Sequence, residues 1–471
     1  MKNRLAPVNR IPLDVLSLVL DYLDVGAGGS HLIALTHVCR AWREIFISQS
    51  SLWTYFECIN ANKTRIYLER SKSSPINMCL YRKNALPASD PLFQIIPHSV
   101  GRLKSLSITT RPGILHRIIA HLPPHAPLLE RLDISNTFQS RTLSDSPVTT
   151  AIFSGDLPLL RAFRLECIRT ELPWRNMVNL TSVVLRNMPP DCPSIRQLLD
   201  FFESAPRLCK IKLDSATPAA GGQGGRLVSL AYLKGMWIFG LSPSSLLLDH
   251  LLIPVGAKLS TWGDSFHHII KDHLPGSLDN LKNISNITKI HLRVSDHARI
   301  KLSGPSGELN MASKVDAARW GLESLARLDT SKVERLETVS GDHLLTRPSY
   351  RGLLPLENLR SLTLFRSRNP YTLMDALNPN TVSSGAMACP KLEEIELIPH
   401  TGTEIDIKSV IEVAAARIPG GAKLRTVRIG GKDKLNPKDV LELEKHVLNV
   451  ERVSVVDEVE SDSEDSDEDF W

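Results

Sequence analysis

Little in this chain of 471 residues is aromatic, 6 % by count, and no stretch stays apolar long enough to cross a bilayer. The most apolar run, Ser242 to Pro254, is bounded by prolines and broken by Asp249 and His250. Met1 to Pro12 lacks the uninterrupted apolar core of a signal peptide, so a soluble chain of the cytoplasm, the nucleus or both is expected, with no membrane partner. The seven cysteines, Cys39, Cys58, Cys79, Cys167, Cys192, Cys209 and Cys389, are odd in number, scattered and never in Cys-x-x-Cys spacing. That argues against a disulfide framework and a structural zinc site, and for a reducing compartment. Gly221-Gly222-Gln223-Gly224-Gly225 lacks the Lys-Ser or Lys-Thr that completes a phosphate loop and reads as a flexible insertion. His267-His268, with Asp264 and Asp272 nearby, has metal-binding residue types but no second cluster, so it reads as a solvated helix face. No paired carboxylates and no Cys/His arrangement stand out. The expectation is a protein that is not an enzyme, with no cofactor, no metal and no catalytic residue.

Charge is unevenly distributed. From Asp457 to Asp469 nine of thirteen residues are acidic and none is basic, so the remainder of the chain is more basic than the formal total of +5 by nine charges. The lysines and arginines are spread without aromatic interleaving or a recognition motif, which sets nucleic acid aside as a partner. The acidic stretch is low in complexity and nearly free of apolar residues, so burial cannot offset the entropy of ordering it, and a disordered acidic tail over 457–471 is expected. Ser461 and Ser466 each precede an acidic residue by three, Glu464 and Asp469, a pattern that resembles the preference of casein-kinase-type kinases.

At the other end lies the stretch on which the rest depends. Pro12 sits where a first helical turn accepts it, and Asp14 places a carboxylate near the positive helix end. From Val15 to Leu23 apolar residues cover almost every face, leaving Ser17 and Asp21 as one polar strip. Such a helix needs two covering surfaces. Leu32, Leu35, Val38 and Ile45, after the Gly26-Ala27-Gly28-Gly29 break, supply one, with Ser30 as N-cap. The other surface is left for a second protein.

Ile11-Pro12-x-x-Val15-Leu16-x-x-Val19-Leu20-x-Tyr22-Leu23, then Val38-Cys39-Arg40-Ala41-Trp42-Arg43, then Ser51-Leu52-Trp53, resembles the F-box motif. Ile11 replaces the usual Leu and Asp14 the usual Glu. The resemblance implies a three-helix module, here over residues 8–56, that docks on a Skp-family adaptor and so joins a cullin-RING scaffold. The residues it would use are Ile11, Pro12, Val15, Leu16, Val19, Leu20, Leu23 and Trp42. Residues 57–74 read as a helical linker, ending in an Arg70-Ser71-x-Ser73-x-Pro75 junction that resembles the start of the repeat domain in many fungal F-box proteins.

From residue 75 to 456 a unit recurs, apolar-x-x-apolar-x-apolar. Its clearest copies are Leu103/Leu106/Ile108, Leu129/Leu132/Ile134, Leu160/Phe163/Leu165, Leu180/Val183/Leu185, Leu208/Ile211/Leu213, Leu248/Leu251/Ile253, Ile287/Ile290/Leu292, Leu359/Leu362/Leu364, Leu392/Ile395/Leu397 and Leu424/Val427/Ile429. Less regular copies lie at Val333/Leu336 and Val450/Val453/Val455. First positions lie 26 residues apart from Leu103 to Leu129 and 33 from Leu359 to Leu392, the length of leucine-rich repeats or slightly more. Helix-like segments fall between them at Ile114 to Leu122, Ser194 to Ser204, Ala317 to Leu328, Ile405 to Arg417 and Pro437 to Val447. Arg299 to Lys314 reads as a long polar loop. The run resembles the leucine-rich-repeat family but lacks its Asn ladder. The expected fold is α/β: the F-box-like module, a leucine-rich-repeat solenoid with a curved parallel sheet, and the tail.

In a strand, the residue between the second and third apolar positions faces away from the helix layer. Ser107, Asp133, Arg164, Lys212, His291, Glu396 and Arg428, with Val184, Leu252 and Thr363, are therefore the expected substrate-facing residues. The function expected is the substrate-recognition adaptor of an SCF-type cullin-RING ubiquitin ligase, the solenoid holding a protein substrate. The competing readings are a non-ligase leucine-rich-repeat interaction scaffold whose helical N-terminus is only a cap, and a basic-surface RNA or chromatin binder.

Overall fold

A short turn sets up most of the strands. Leu160 N–H donates to the Leu157 carbonyl at 3.1 Å, Leu208 to Ala205 at 3.2 Å, Leu359 to Leu356 at 3.2 Å and Leu392 to Cys389 at 3.0 Å. In several copies Pro occupies the second turn position, as Pro158, Pro206 and Pro390 do, where its fixed φ favours the bend. The leucine that closes each of these turns is buried, and a strand of five to seven residues starts two residues beyond it.

The computed structural model describes residues 12, 15, 30–82, 87, 89–136, 153, 157–168, 177–188, 193–215, 226–240, 244–263, 273–294, 298–313, 327–340, 353, 355–367, 371–381, 387–399, 407–430 and 436–453. The stretch expected as one solenoid is shared between two units, residues 1–208 with 214–223, and residues 209–213 with 224–471. The tail, the His267-His268 segment, the Gly221–Gly225 insertion and most of the expected helix 317–328 lie outside the described residues.

In the first unit, helices Ser30–Leu35 and Arg40–Ser48 precede a single 3-10 turn, Ser50–Trp53. Six strands then pair in parallel, each with the next: β1 (Tyr55–Glu57), β2 (Ile76–Arg82), β3 (Leu103–Thr110), β4 (Arg131–Ser135), β5 (Ala162–Glu166) and β6 (Ser182–Arg186). Helices Ala61–Arg70, Leu92–Ser99 and Pro112–His121 make the crossovers that parallel strands require. Helix Ile195–Ser204 opens on a capping box between Ser194 and Gln197 and buries Leu198, Leu199, Phe201 and Phe202. Arg102 ties the expected Ser/Pro junction down, its guanidinium donating to the Leu68 and Ser74 carbonyls and to Ser71 Oγ. β7 (Lys210–Asp214) runs across the division between the units.

The second unit holds a larger sheet. Its order is β9 (Gly235–Phe239), β11 (Lys258–Gly263), β14 (Gly307–Ser313), β13 (Ala298–Gly304), β12 (Lys289–Val294), β15 (Arg335–Ser340), β16 (Ser361–Ser367), β17 (Glu394–Pro399), β18 (Thr426–Gly430) and β19 (Asn449–Val453). Every pairing is parallel except the two made by β13. Helices Tyr371–Leu377, Ile407–Arg417 and Pro437–Glu444 form the crossovers from β16 to β19.

Two expectations fail here. Arg299 to Lys314 is not a projecting loop: β13 and β14 form a hairpin inside the sheet, closed by Pro305-Ser306 between the paired Gly304 and Gly307. A Cβ at Gly304 would lie 1.9 Å from the Asn286 carbonyl oxygen, and Gly307 has φ +132°, so both positions require glycine. Leu252 is not on the large sheet, because β10 (Leu251–Leu252) pairs only with β8 (Val228–Ser229) among the described residues.

Candidate functional site

Two surfaces are candidates, the N-terminal helical region and the outward face of each sheet. In the first, Pro12 is exposed and Val15 is 45 % exposed. Ile11, Leu16, Val19, Leu20 and Leu23 lie outside the described residues. Trp42 is half-buried, its ring 5.8 Å from Phe46. Val38, expected to cover the first helix, is 50 % exposed because it falls in the turn between two helices, and Ile47 is 36 % exposed. Apolar side chains left in water in this way suit a protein partner.

What anchors this region is Trp53. It is fully buried, donates from Nε1 to the Phe46 carbonyl at 2.7 Å, meets Tyr67 edge-on at 5.0 Å and carries the Arg70 guanidinium 4.2 Å above its ring. One residue beyond Thr54, β1 joins β2 in the sheet, Tyr55 opposite Asn77 and Glu57 opposite Cys79. The helical region and the sheet of the first unit are thus one packed body.

On that sheet, Glu57, Cys79, Ser107, Asp133, Arg164 and Val184 are successive cross-strand partners. Val184 is buried, and the other three expected contact residues, Ser107, Asp133 and Arg164, are half-buried. Arg164 Nη2 lies 2.9 Å from Glu166 Oε2, which also accepts from Ser135 Oγ at 3.1 Å, while Asp133 Oδ1 stands 3.9 Å from Arg164 Nε. Burial pushes the Asp133 carboxyl up to about 6, against the attraction of Arg164 and with help from the repulsion of Glu166.

A carboxyl raised in the fold binds its proton more tightly than in the unfolded chain. The penalty for burying its charge is absent below about pH 4 and complete above about pH 6. Asp133→Asn is therefore expected to leave stability unchanged at pH 4 and to raise it at pH 7 by about 1 to 2 kcal/mol. Melting curves at the two pH values check this, and an equal shift at both would remove the desolvation argument.

In the second unit, His291, Glu337, Thr363, Glu396, Arg428 and Glu451 are successive partners. His291 Nδ1 is 3.2 Å from Glu337 Oε2 and Lys289 Nζ 2.7 Å from Oε1, and these two groups, His291 foremost, hold the Glu337 carboxyl down at about 2. Thr363 donates to Glu396 at 3.2 Å, and Arg428 bridges Glu451 at 2.8 Å and Glu394 at 3.2 Å. Lys212 does not join such a surface: it is buried, with its ammonium 5.5 Å over the Phe239 ring, because an aromatic side chain offers the long lysine stem an apolar cover. Glu337 and Glu451 belong to the row although their irregular repeats concealed them.

Chemistry at cysteine finds no support in the two most buried thiols. Burial pushes both Cys58 and Cys389 up to about 12, so neither is a thiolate at neutral pH. Among the described residues no group of three His, Cys, Asp or Glu side chains is arranged to hold a metal ion, and no helix is long and apolar enough to cross a membrane.

Compared with known families, residues 8–58 match the F-box-like family model, so the chain carries an F-box-like region that takes in the two short helices, Trp53 and β1. No curated protein matches the chain.

Proposed function

We propose that this protein is the substrate-recognition adaptor of an SCF-type cullin-RING ubiquitin ligase. The F-box-like region binds a Skp-family adaptor through Ile11, Pro12, Val15, Leu16, Val19, Leu20, Leu23 and Trp42. The sheet faces, built as a leucine-rich-repeat solenoid, bind the protein substrate, with Ser107, Asp133 and Arg164 contributing from one unit and His291, Glu396 and Arg428 from the other. The observation that carries the reading is the F-box-like match over residues 8–58 together with its fusion, through Trp53 and β1, to the first sheet. An adaptor that performs no chemistry works by proximity, holding lysines of the substrate near a separate conjugating enzyme, and proximity is effective only if the two binding surfaces are held in fixed geometry. A free linker would dissipate that advantage. The buried Trp53 contact removes the freedom within the first unit.

Co-purification with a Skp-family adaptor is the direct test. Pro12→Ala combined with Leu16→Ala is expected to weaken that association by about ten- to a hundredfold, the loss of one or two interface anchors worth about 1 to 3 kcal/mol each, while thermal unfolding of residues 75–456 stays in place. Undiminished capture by the folded double variant would leave the N-terminus as a helical cap and the protein as a repeat scaffold outside any ligase.

A further inference from the structure

Among the described residues, the last layer of the second unit is left open. Ile395, Val427 and Val450 are successive cross-strand partners, as are Leu397, Ile429 and Arg452. Ile395, Val427, Leu397 and Ile429 are buried, because each layer of strand and helix covers the one before it. Val450 is only half-buried, and Arg452 is exposed. Helix Pro437–Glu444 packs on helix Ile407–Arg417 and turns Leu443 into the core, but it leaves Leu441 62 % exposed.

A second leucine stands out of pattern at the same end. Arg360 N–H donates to the Glu334 carbonyl, Glu393 to Arg360 and Arg425 to Glu393, each at the same place in its layer. Leu448 donates to Arg425 and takes the next place in that series. Charged side chains suit a solvated edge, whereas Leu448 is 65 % exposed. Leu441 lies one turn before the end of its helix and Leu448 four residues past that end, so both stand at one edge of the layer. The outer face of a terminal repeat is ordinarily polar. Here two leucines occupy it.

A further strand is a poor cover for them. Paired along β19 it would bury Arg452, an inward-pointing charge of the kind that stops a sheet from growing. That argues against a second copy continuing the sheet. It favours a short apolar segment that seats on the two leucines and leaves the arginine in water.

The chain carries such a segment. All ten residues from Glu460 to Asp469 are acidic or serine, and Phe470-Trp471 follow. Two adjacent aromatic side chains hold a large apolar surface, and acidic neighbours cannot cover it. Phe470 comes 470 − 453 = 17 residues after Val453, where β19 ends. A flexible tether of that length spans about 23 Å on average. The way back along β19 from Val453 to Leu448 is five residues, about 17 Å. A tether whose average length is close to its span gives nearly the highest effective concentration, so a patch too small to hold a separate partner suffices.

We propose that Phe470 and Trp471 dock on Leu441 and Leu448 and close the open end of the second unit. The acidic residues between are then held at both ends, as a loop in water. This docking does not depend on the adaptor role, because it concerns only the last layer and the chain that leaves it.

Benzoylphenylalanine is placed at position 470 of the full-length chain, which is irradiated, digested and mapped by mass spectrometry. The expected adducts lie within one chain, at residues 437–453 around Leu441 and Leu448, with a yield unchanged by tenfold dilution. They persist at about 0.5 M salt, where charge attraction is screened within about 4 Å. Adducts at other apolar surfaces such as Tyr232 and Val255, covalent dimers that fall on dilution, loss of the adduct in salt, or no adduct would each overturn the assignment. A second measurement avoids the photoprobe. Phe470→Ser with Trp471→Ser is expected to speed hydrogen exchange at the amides of helix Pro437–Glu444 and of β19 at least threefold. Leu441→Ser with Leu448→Ser should do the same, and all four changes together should add nothing, because both pairs remove one contact. Exchange unaltered by the tail pair, which takes no part in the core, or effects of the two pairs that add in full, would refute the docking.

Discussion

Arg417→Ala lowers the stability of the second unit by about 3 to 5 kcal/mol, the largest loss expected from any single change there. Arg417 closes helix Ile407–Arg417 and is fully buried. Its Nη1 donates to the carbonyls of Leu377 at 3.3 Å and Ala388 at 3.0 Å, and Nη2 to that of Cys389 at 2.6 Å. Two of these carbonyls precede the turn into β17, and the third ends helix Tyr371–Leu377, where the carbonyl dipoles favour a cation. No carboxylate is among these acceptors; burial accordingly lowers the arginine's pKa, and backbone dipoles replace the counter-ion. Truncation removes three donors at once and leaves a cavity the length of the side chain. Arg417→Met keeps most of the volume and loses only the donors, so it should cost about 1 to 3 kcal/mol. Because the chain has two units, a single unfolding midpoint is ambiguous. Hydrogen exchange at the amides of β17 and β18 reads the effect where it arises. Unchanged protection there in Arg417→Ala would show that the carbonyls find other donors.

The strands were legible in sequence where the second and third apolar positions were both filled by Leu, Ile, Val or Phe. β3 to β6, β12, β16, β17 and β18 fall on the expected residues, and their inward side chains are buried. Where a threonine took an inward position, the unit was irregular, as at β15, or unseen, as at β11. Thr338 in β15 and Thr261 in β11 are 3 % and 2 % exposed, filling places that Val or Leu fill elsewhere, since threonine has the shape of valine and its hydroxyl counted as polar. The loss of β15 as a regular copy concealed Glu337, the carboxylate that joins His291 to Thr363 across the sheet. The β13–β14 hairpin was missed for a different reason. Its outward arginine, lysine, serine, glutamate and asparagine residues alternate with Ile300, Leu302, Leu309 and Met311, a period of two that the Gly304-Pro305-Ser306-Gly307 turn interrupts in the middle. β9 carries Met236 and Ile238 inward and packs the Trp237 ring over Gly235, where any Cβ would meet the indole at 2.2 Å.

The rule that the residue between two inward positions faces out does place Ser107, Asp133 and Arg164 side by side, and His291, Thr363, Glu396 and Arg428 in one row. It fails at Lys212, because outward is not the same as exposed: a neighbouring Phe239 ring covers the position. Which strands neighbour which, once a hairpin is inserted, is a property of pairing over long separations, and no local spacing encodes it. The juxtaposition of Arg293 with Arg299 comes instead from the antiparallel pairing of β12 with β13.

Trp53→Ala costs the first unit about 3 to 5 kcal/mol and loosens the F-box-like region from its sheet. The indole contributes in three separable ways. Its burial against Tyr67 accounts for most of the loss. The hydrogen bond from Nε1 to the Phe46 carbonyl ties helix Arg40–Ser48 to the turn before β1 and is worth about 1 kcal/mol, with the stranded carbonyl adding to the cost of removal. The Arg70 guanidinium above the ring adds about 0.5 to 1 kcal/mol more. Trp53→Phe retains the apolar contact and loses the donor, so about 1 to 2 kcal/mol is expected; Arg70→Met, which keeps the stem over the ring, should cost less than 1 kcal/mol. The ranking Ala, then Phe, then Arg70→Met, read by chemical denaturation, tests the packing account. The functional arm uses Trp53→Phe, the milder of the two tryptophan changes. Under the adaptor role proposed above, with proximity dependent on a rigid joint, this variant is expected to keep adaptor association and to transfer ubiquitin to a bound substrate more slowly, because a looser joint lowers the effective concentration of lysines at the conjugating enzyme. Unimpaired transfer by a variant with measurably weaker coupling between helix and sheet would show that the Trp53 joint serves stability alone.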